Sequence, residues 1–156
     1  MKSTFFENNI EYQLEVNGEN WNQGEIISGQ LQIINRYQKA FQIESVDIVL
    51  AHGLKKNLKE KNKLVWEIQE KLTLTKDFLL NTNQSETFKW SFKLNTNSPI
   101  TDKMGGLYLL FGGPEVLSLG GRLDLNIKLH PLLQNFLQTF TTQFRFLEKF
   151  QKRKND

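Results

Sequence analysis

Residues 86–111, ETFKWSFKL-NTNSPITDKMGG-LYLLF, decide the fold. Phe88, Trp90, Phe92 and Leu94 alternate with Lys89, Ser91 and Lys93. A period of two puts the four large apolar side chains on one face of a strand and the polar ones on the other. Burying each contributes roughly 1.5–3 kcal/mol, so this face must meet a core. The lysine stems lie along the solvent face with their charges in water. A polar run, Asn95–Ser98, follows. Pro99 lacks an N–H and holds Ser98 extended, which suits a sheet edge or crossover. Gly105-Gly106 allows a sharp re-entry, and Leu107–Phe111 is apolar without a break, as in a short strand buried on both faces. Gly112-Gly113-Pro114 closes it as a turn.

Working outward, the same alternation recurs. Tyr12, Leu14 and Val16 form the first strand we expect, and Asn17-Gly18 begins a turn that runs to Gly24. Glu25–Ile34 is a second strand, with Ile27, Leu31 and Ile33 sharing a face with Gly29; a glycine there marks a bulge or the close approach of another backbone. In Phe41–Ala51 the apolar phase shifts from Phe41 and Ile43 to Val46, Ile48 and Leu50, which predicts a bulge near Glu44-Ser45. Gly53–Lys63 reads as a lysine-rich loop. Leu64, Trp66, Ile68, Leu72 and Leu74 favour strand over helix, helped by Thr73 and Thr75. Gly120-Gly121 is a further turn, and Leu123, Leu125, Ile127 and Leu129 alternate as one continuous strand. Short strands with turn signals between them argue for a sandwich or barrel.

After His130 the period changes. Leu133, Phe136, Leu137, Phe140, Phe144 and Leu147 recur at spacings of three and four. Pro131 is suited to open a helix, so Leu132 to about Thr141 reads as an amphipathic helix. Residues 142–150 stay open between helix and a final strand, because Thr139, Thr141 and Thr142 are weak helix formers. The fold class expected is therefore all-β: a β-sandwich over residues 1–131, then a C-terminal amphipathic helix and basic tail over 132–156.

The order of these features resembles the N-terminal lobe of arrestin-like proteins, most nearly the bacterial sporulation-control arrestin-like family. Gly24-Glu25-Ile26-Ile27-Ser28-Gly29-Gln30-Leu31 is similar to that fold's G-E-x-[IV]-x-G-x-[LV] strand. Phe88-x-Trp90-x-Phe92-x-Leu94, followed by Pro99-Ile100-Thr101, is similar to its F-x-F-x-[IL]-P…P stretch, with the first proline displaced by Asn95–Ser98. Leu107-Tyr108 matches the run into its core strand, and Leu123–Pro131 its last strand. The resemblance implies an immunoglobulin-like, arrestin-type sandwich and a non-enzymatic adaptor function. No phosphate-sensing residue of animal arrestins finds a counterpart here. Two-lobed relatives would cover the 132–150 segment with a second lobe; in this chain we expect a protein partner in trans, with a homodimer the simplest source of one.

Composition narrows the chemistry. The chain has 156 residues, enough for one domain with a real core. It has no cysteine, so no disulfide, thiolate chemistry or cysteine metal site is available. No apolar leader follows Met1 and no run reaches the ~20 apolar residues of a membrane span, so a cytoplasmic home is expected. Twenty basic residues against seventeen acidic give a net charge of +3, too mild for a nucleic-acid binder. The two histidines, His52 and His130, lie at predicted strand ends and read as structural; Asp47 and Asp124 fall on outward phases. Trp66 and Trp90 read as core, leaving Trp21 as the tryptophan expected near the surface. We expect no catalytic residue, cofactor or metal. The candidate interaction residues are Phe136, Phe140, Phe144, Phe146 and Phe150, the tail cations Lys152, Arg153 and Lys154, and Lys55 and Lys56 of the lysine-rich loop. The alternatives are a sandwich holding a small ligand or lipid in a cavity, or a module that uses the lysine clusters and apolar tail on a membrane surface.

Overall fold

A computed structural model describes residues 1–59 and 66–143. In chain order these form β1 (Lys2–Glu7), β2 (Ile10–Val16), β3 (Trp21–Asn22), β4 (Ile26–Asn35), β5 (Phe41–Leu54), α1 (Lys55–Lys59), β6 (Glu67–Leu80), β7 (Ser85–Lys93), β8 (Gly105–Gly112), α2 (Val116–Leu119), β9 (Gly121–Asp124), β10 (Ile127–Lys128) and α3 (Pro131–Gln143). Two antiparallel sheets face each other, ordered β1-β2-β4-β7 and β6-β5-β8-β9. A two-residue parallel ladder joins β3 to β10.

The core lies between the sheets. Ile27, Leu31 and Ile33 of β4, and Trp90 and Phe92 of β7, meet Ile48 and Leu50 of β5 and Leu107, Leu109 and Phe111 of β8. Within β4, Gly29 stands opposite both Val16 and Trp90, and a Cβ there would fall 2.0 Å from the Glu15 carbonyl oxygen. That is the close backbone approach expected of a glycine in this strand. Every residue of β8 is buried, as the unbroken apolar run predicts. The reason is a second, smaller cluster on the outer face of the same sheet. There Val49, Ala51, Tyr108, Leu110 and Val116 pack with Leu58 of α1 and with Trp66.

Several expectations need correction. The amino-terminal residues form β1, an edge strand absent from the sequence reading. It joins β2 through Asn8-Asn9, both at positive φ (48° and 63°), a turn whose twist matches that of the paired strands. Trp21 is not a surface residue; it is 5% exposed and belongs to the core. Its N–H donates to the Asn126 carbonyl at 3.1 Å, and that of Gln23 to Lys128 at 3.0 Å, which draws β3 inward. The alternation from Leu123 to Leu129 is not one strand. β9 pairs with β8, whereas β10 pairs with β3 in another ladder. Thr101 holds the crossing: its hydroxyl donates to the Leu125 carbonyl (2.7 Å) and accepts the Ile127 N–H (2.9 Å).

Asp47 keeps its outward phase, alternating with the core residues Val46 and Ile48, but it is covered there and only 2% exposed. The β5–β6 register slips between Val46 and Asp47, slightly beyond the predicted bulge. The Asp47 carboxylate accepts bonds from Thr73 (2.6 Å) and Ser45 (3.2 Å) and pairs with Lys71 at 3.1 Å. The start of the lysine-rich loop is helical, as α1, because Leu58 caps the outer cluster. A one-turn helix, α2, follows Gly112-Gly113-Pro114, where only a turn was expected. Residues 66–80 are strand from Glu67 onward, and the helix after His130 forms at its predicted place.

Candidate interaction surface

The sequence of α3, PLLQNFLQTFTTQ, holds no charged residue. Pro131 supplies a fixed φ and lacks only an N–H that the first turn would leave unbonded. His130, just ahead of it, ties the helix to the lobe. Its carbonyl accepts the Gln134 N–H at 3.0 Å and its Nδ1 accepts the Leu132 N–H at 3.2 Å. Its own N–H donates to Oε1 of the buried Gln23 at 3.1 Å, and Gln23 in turn donates through Nε2 to the Ser98 carbonyl. The threonines that weaken a helix are spent locally. Thr139 donates to the Asn135 carbonyl, and Thr141 and Thr142 to Gln138.

Successive residues turn by about 100°, so Leu132, Leu133, Phe136, Leu137 and Phe140 share one face, and Gln134, Asn135 and Gln138 occupy the other. All the residues from Pro131 to Phe140 are exposed, those of the apolar face between 37% and 73%. The Phe136 and Phe140 rings meet with centroids 4.6 Å apart. Exposed apolar side chains scattered singly need no explanation, but a contiguous stripe makes α3 a candidate contact surface.

At the foot of α3 lies an open groove of about 700 Å³, lined by Gly24, Glu25, Lys93, Thr96, His130 and Pro131 among others. Gly24, at φ +87°, lines it. The Glu25 carboxylate accepts the backbone N–H and the side-chain amide of Asn22, each at 2.9 Å. These bonds hold it below the usual carboxylate range.

Of the candidate residues, Phe136 and Phe140 are brought together on α3. Lys55 and Lys56 stand on another element, α1; Lys56 is exposed, whereas the Lys55 ammonium donates to the Asp102 carbonyl. Asp102 carries two backbone bonds of its own, from Met104 and Gly105, which lower its pKa. Phe144, Phe146, Phe150, Lys152, Arg153 and Lys154 lie outside the described residues, as does any final strand. The sequence reading missed the His130–Gln23 anchor, since nothing in the spacing links residues so distant. His52 pairs with Glu67 at 3.4 Å. Among the described residues no group of three or more His, Asp or Glu side chains could hold a metal ion, and no helix is long and apolar enough to cross a membrane.

No family model and no curated protein matches the chain. Solved structures do. The sporulation control protein Spo0M from Bacillus subtilis superposes with a TM-score of 0.68 at 15% identity, over 87% of this chain and 56% of that one. The alkylpurine DNA glycosylase AlkC from Pseudomonas fluorescens, bound to DNA containing an abasic site analog, superposes with a TM-score of 0.52 at 12% identity, over 77% of this chain and 30% of that one. The chain thus has the arrestin-like sandwich fold of the Spo0M type, and it spans little more than half the length of that protein.

Proposed function

We propose that this arrestin-like lobe is a non-enzymatic protein–protein interaction module that engages its partner through the apolar face of α3. One observation carries the reading: five large apolar side chains along one face of α3 stand exposed on a helix fastened to the lobe at its base. Strand addition at a sheet edge is the competing mode. It is disfavoured at β6 because that edge carries Glu67, Glu70, Lys71 and Lys76, and charges on an edge strand resist pairing. A ligand-holding interior is disfavoured too, since apolar side chains fill the space between the sheets and the groove at the foot of α3 opens at the surface. On a membrane surface, an interfacial helix draws on Lys and Arg along its polar face, and α3 has glutamine, asparagine and threonine there.

The test is site-resolved photocrosslinking in living cells, with a photoreactive residue in place of Phe136 or of Gln134. Protein adducts formed from position 136 and not from 134 support docking on the apolar face. Equal yields from both positions, or lipid adducts in place of protein, refute it.

A further inference from the structure

We infer that the partner on α3 is a second copy of this chain, the two helices packing apolar face to apolar face about a twofold axis. The inference rests on the docking reading above and adds the identity of the occupant. The first support is charge. The chain is 24% charged, yet α3 has no charge at all along thirteen residues. Surfaces that select a different protein commonly do so by complementary charge. A group on a twofold axis meets its own copy, so a charge on the axis would face like charge. An uncharged seam is what such an axis tolerates.

The second support is size. At the exposures observed, the five apolar side chains present on the order of 500 Å². Two such faces, fully covered, bury about 1,000 Å², the lower bound of a specific interface, so a weak and concentration-dependent pair is expected. The third is shape. Phe136 sits at the middle of the stripe, its ring against that of Phe140, where an interface carries its aromatic anchors, and Leu133, Leu137 and Phe140 form the ridge spaced by threes and fours that a second helix fits between. The polar face of α3 is exposed as well, so among the described residues the sandwich does not cover the helix.

Light scattering across about 1–300 µM on the whole chain tests this. The mass should rise from monomer to dimer over that range. Phe136→Glu should move the midpoint up about 30-fold or more; Gln134→Glu, on the opposite face, should leave it in place. Because the chain has no cysteine, Phe136→Cys should form a disulfide-linked dimer under mild oxidation, and Gln134→Cys should not. These positions lie outside the sandwich core, so all four variants should keep the wild-type melting curve at concentrations where the parent is monomeric. A chain that stays monomeric over the whole range overturns the self-pairing; if position 136 still crosslinks to a different protein, the docking reading survives it. A dimer that resists Phe136→Glu, or that Gln134→Glu disrupts equally, overturns the self-pairing; the docking reading then stands or falls on the crosslinks from position 136.

Discussion

Replacing Gly29 with alanine adds one methyl group and should unfold a sizeable fraction of the chain's stability. The new Cβ would lie 2.0 Å from the Glu15 carbonyl oxygen and 2.8 Å from Cζ2 of Trp90. A relaxed carbon–oxygen contact is about 3.3–3.6 Å, so β2 and β4 must part locally by more than about 1 Å. Strands hydrogen-bond at a spacing of about 4.7–4.9 Å and tolerate little of that. Trp90 cannot simply yield, because its ring is packed against Phe92 at a centroid distance of 5.8 Å. Overpacking of this kind costs about 1–3 kcal/mol, and each ladder bond lost adds about 1 kcal/mol. Against this, alanine in a strand is favoured over glycine by roughly 0.5–1 kcal/mol. The clash wins, with a net loss of about 2–4 kcal/mol. For a chain of this length that lowers Tm by about 5–15 °C and the urea midpoint by about 1–2 M at unchanged slope. Urea denaturation followed by tryptophan fluorescence reads it directly. A Gly29→Ala midpoint equal to or above that of the parent refutes the register of β2, β4 and β7 described above.

Two further predictions concern single side chains. The Trp90 indole Nε1–H is buried without a hydrogen-bond partner among the described residues, a debt of about 1–3 kcal/mol; Trp90→Phe should therefore stay within about 1 kcal/mol of the parent in urea denaturation, whereas Phe92→Ala should lose about 3–5 kcal/mol. Glu11 is held below its ordinary value of 4.5 by the bond from Gln13 and by Arg36 at 2.6 Å. A carboxyl whose folded pKa is depressed contributes stability above its unfolded value and loses it as pH falls through the folded one. Stability should thus drop below about pH 4.5, and Glu11→Gln should flatten that part of the profile in thermal melts from pH 3 to 6, measured as Tm.

The fold was legible wherever one strand had one dry face. Phe88 to Leu94, and Ile27, Leu31 and Ile33, are read correctly because period two and burial coincide there. Three places defeated that logic. From Leu123 to Leu129 the inward phase is unbroken, yet the chain changes sheets at Leu125-Asn126; side-chain alternation does not record which backbone a strand pairs with. Asp47 keeps its outward phase yet is buried under Lys71 and Thr73 of β6; alternation records the face of a strand, not what covers it. Trp21 follows a polar run and is pulled inward by β10, more than a hundred residues later. Of the interaction surface, the apolar stripe of α3 was visible in its three-and-four spacing. Its anchorage was not, since the contact of His130 with Gln23 exists only once the sandwich is built.

The β3–β10 ladder has a consequence for how the molecule comes to be. It closes a loop of about a hundred residues, and contacts between residues so far apart in sequence repay their closure entropy late and slowly. The hairpins β1–β2 and β5–β6 can form early from neighbouring segments. Trp21 and Ile127 must wait until almost the whole lobe has been synthesised. Gln23, which fastens the foot of α3, is the residue that continues that ladder. The foot of α3 is therefore fastened only in a chain that has finished folding.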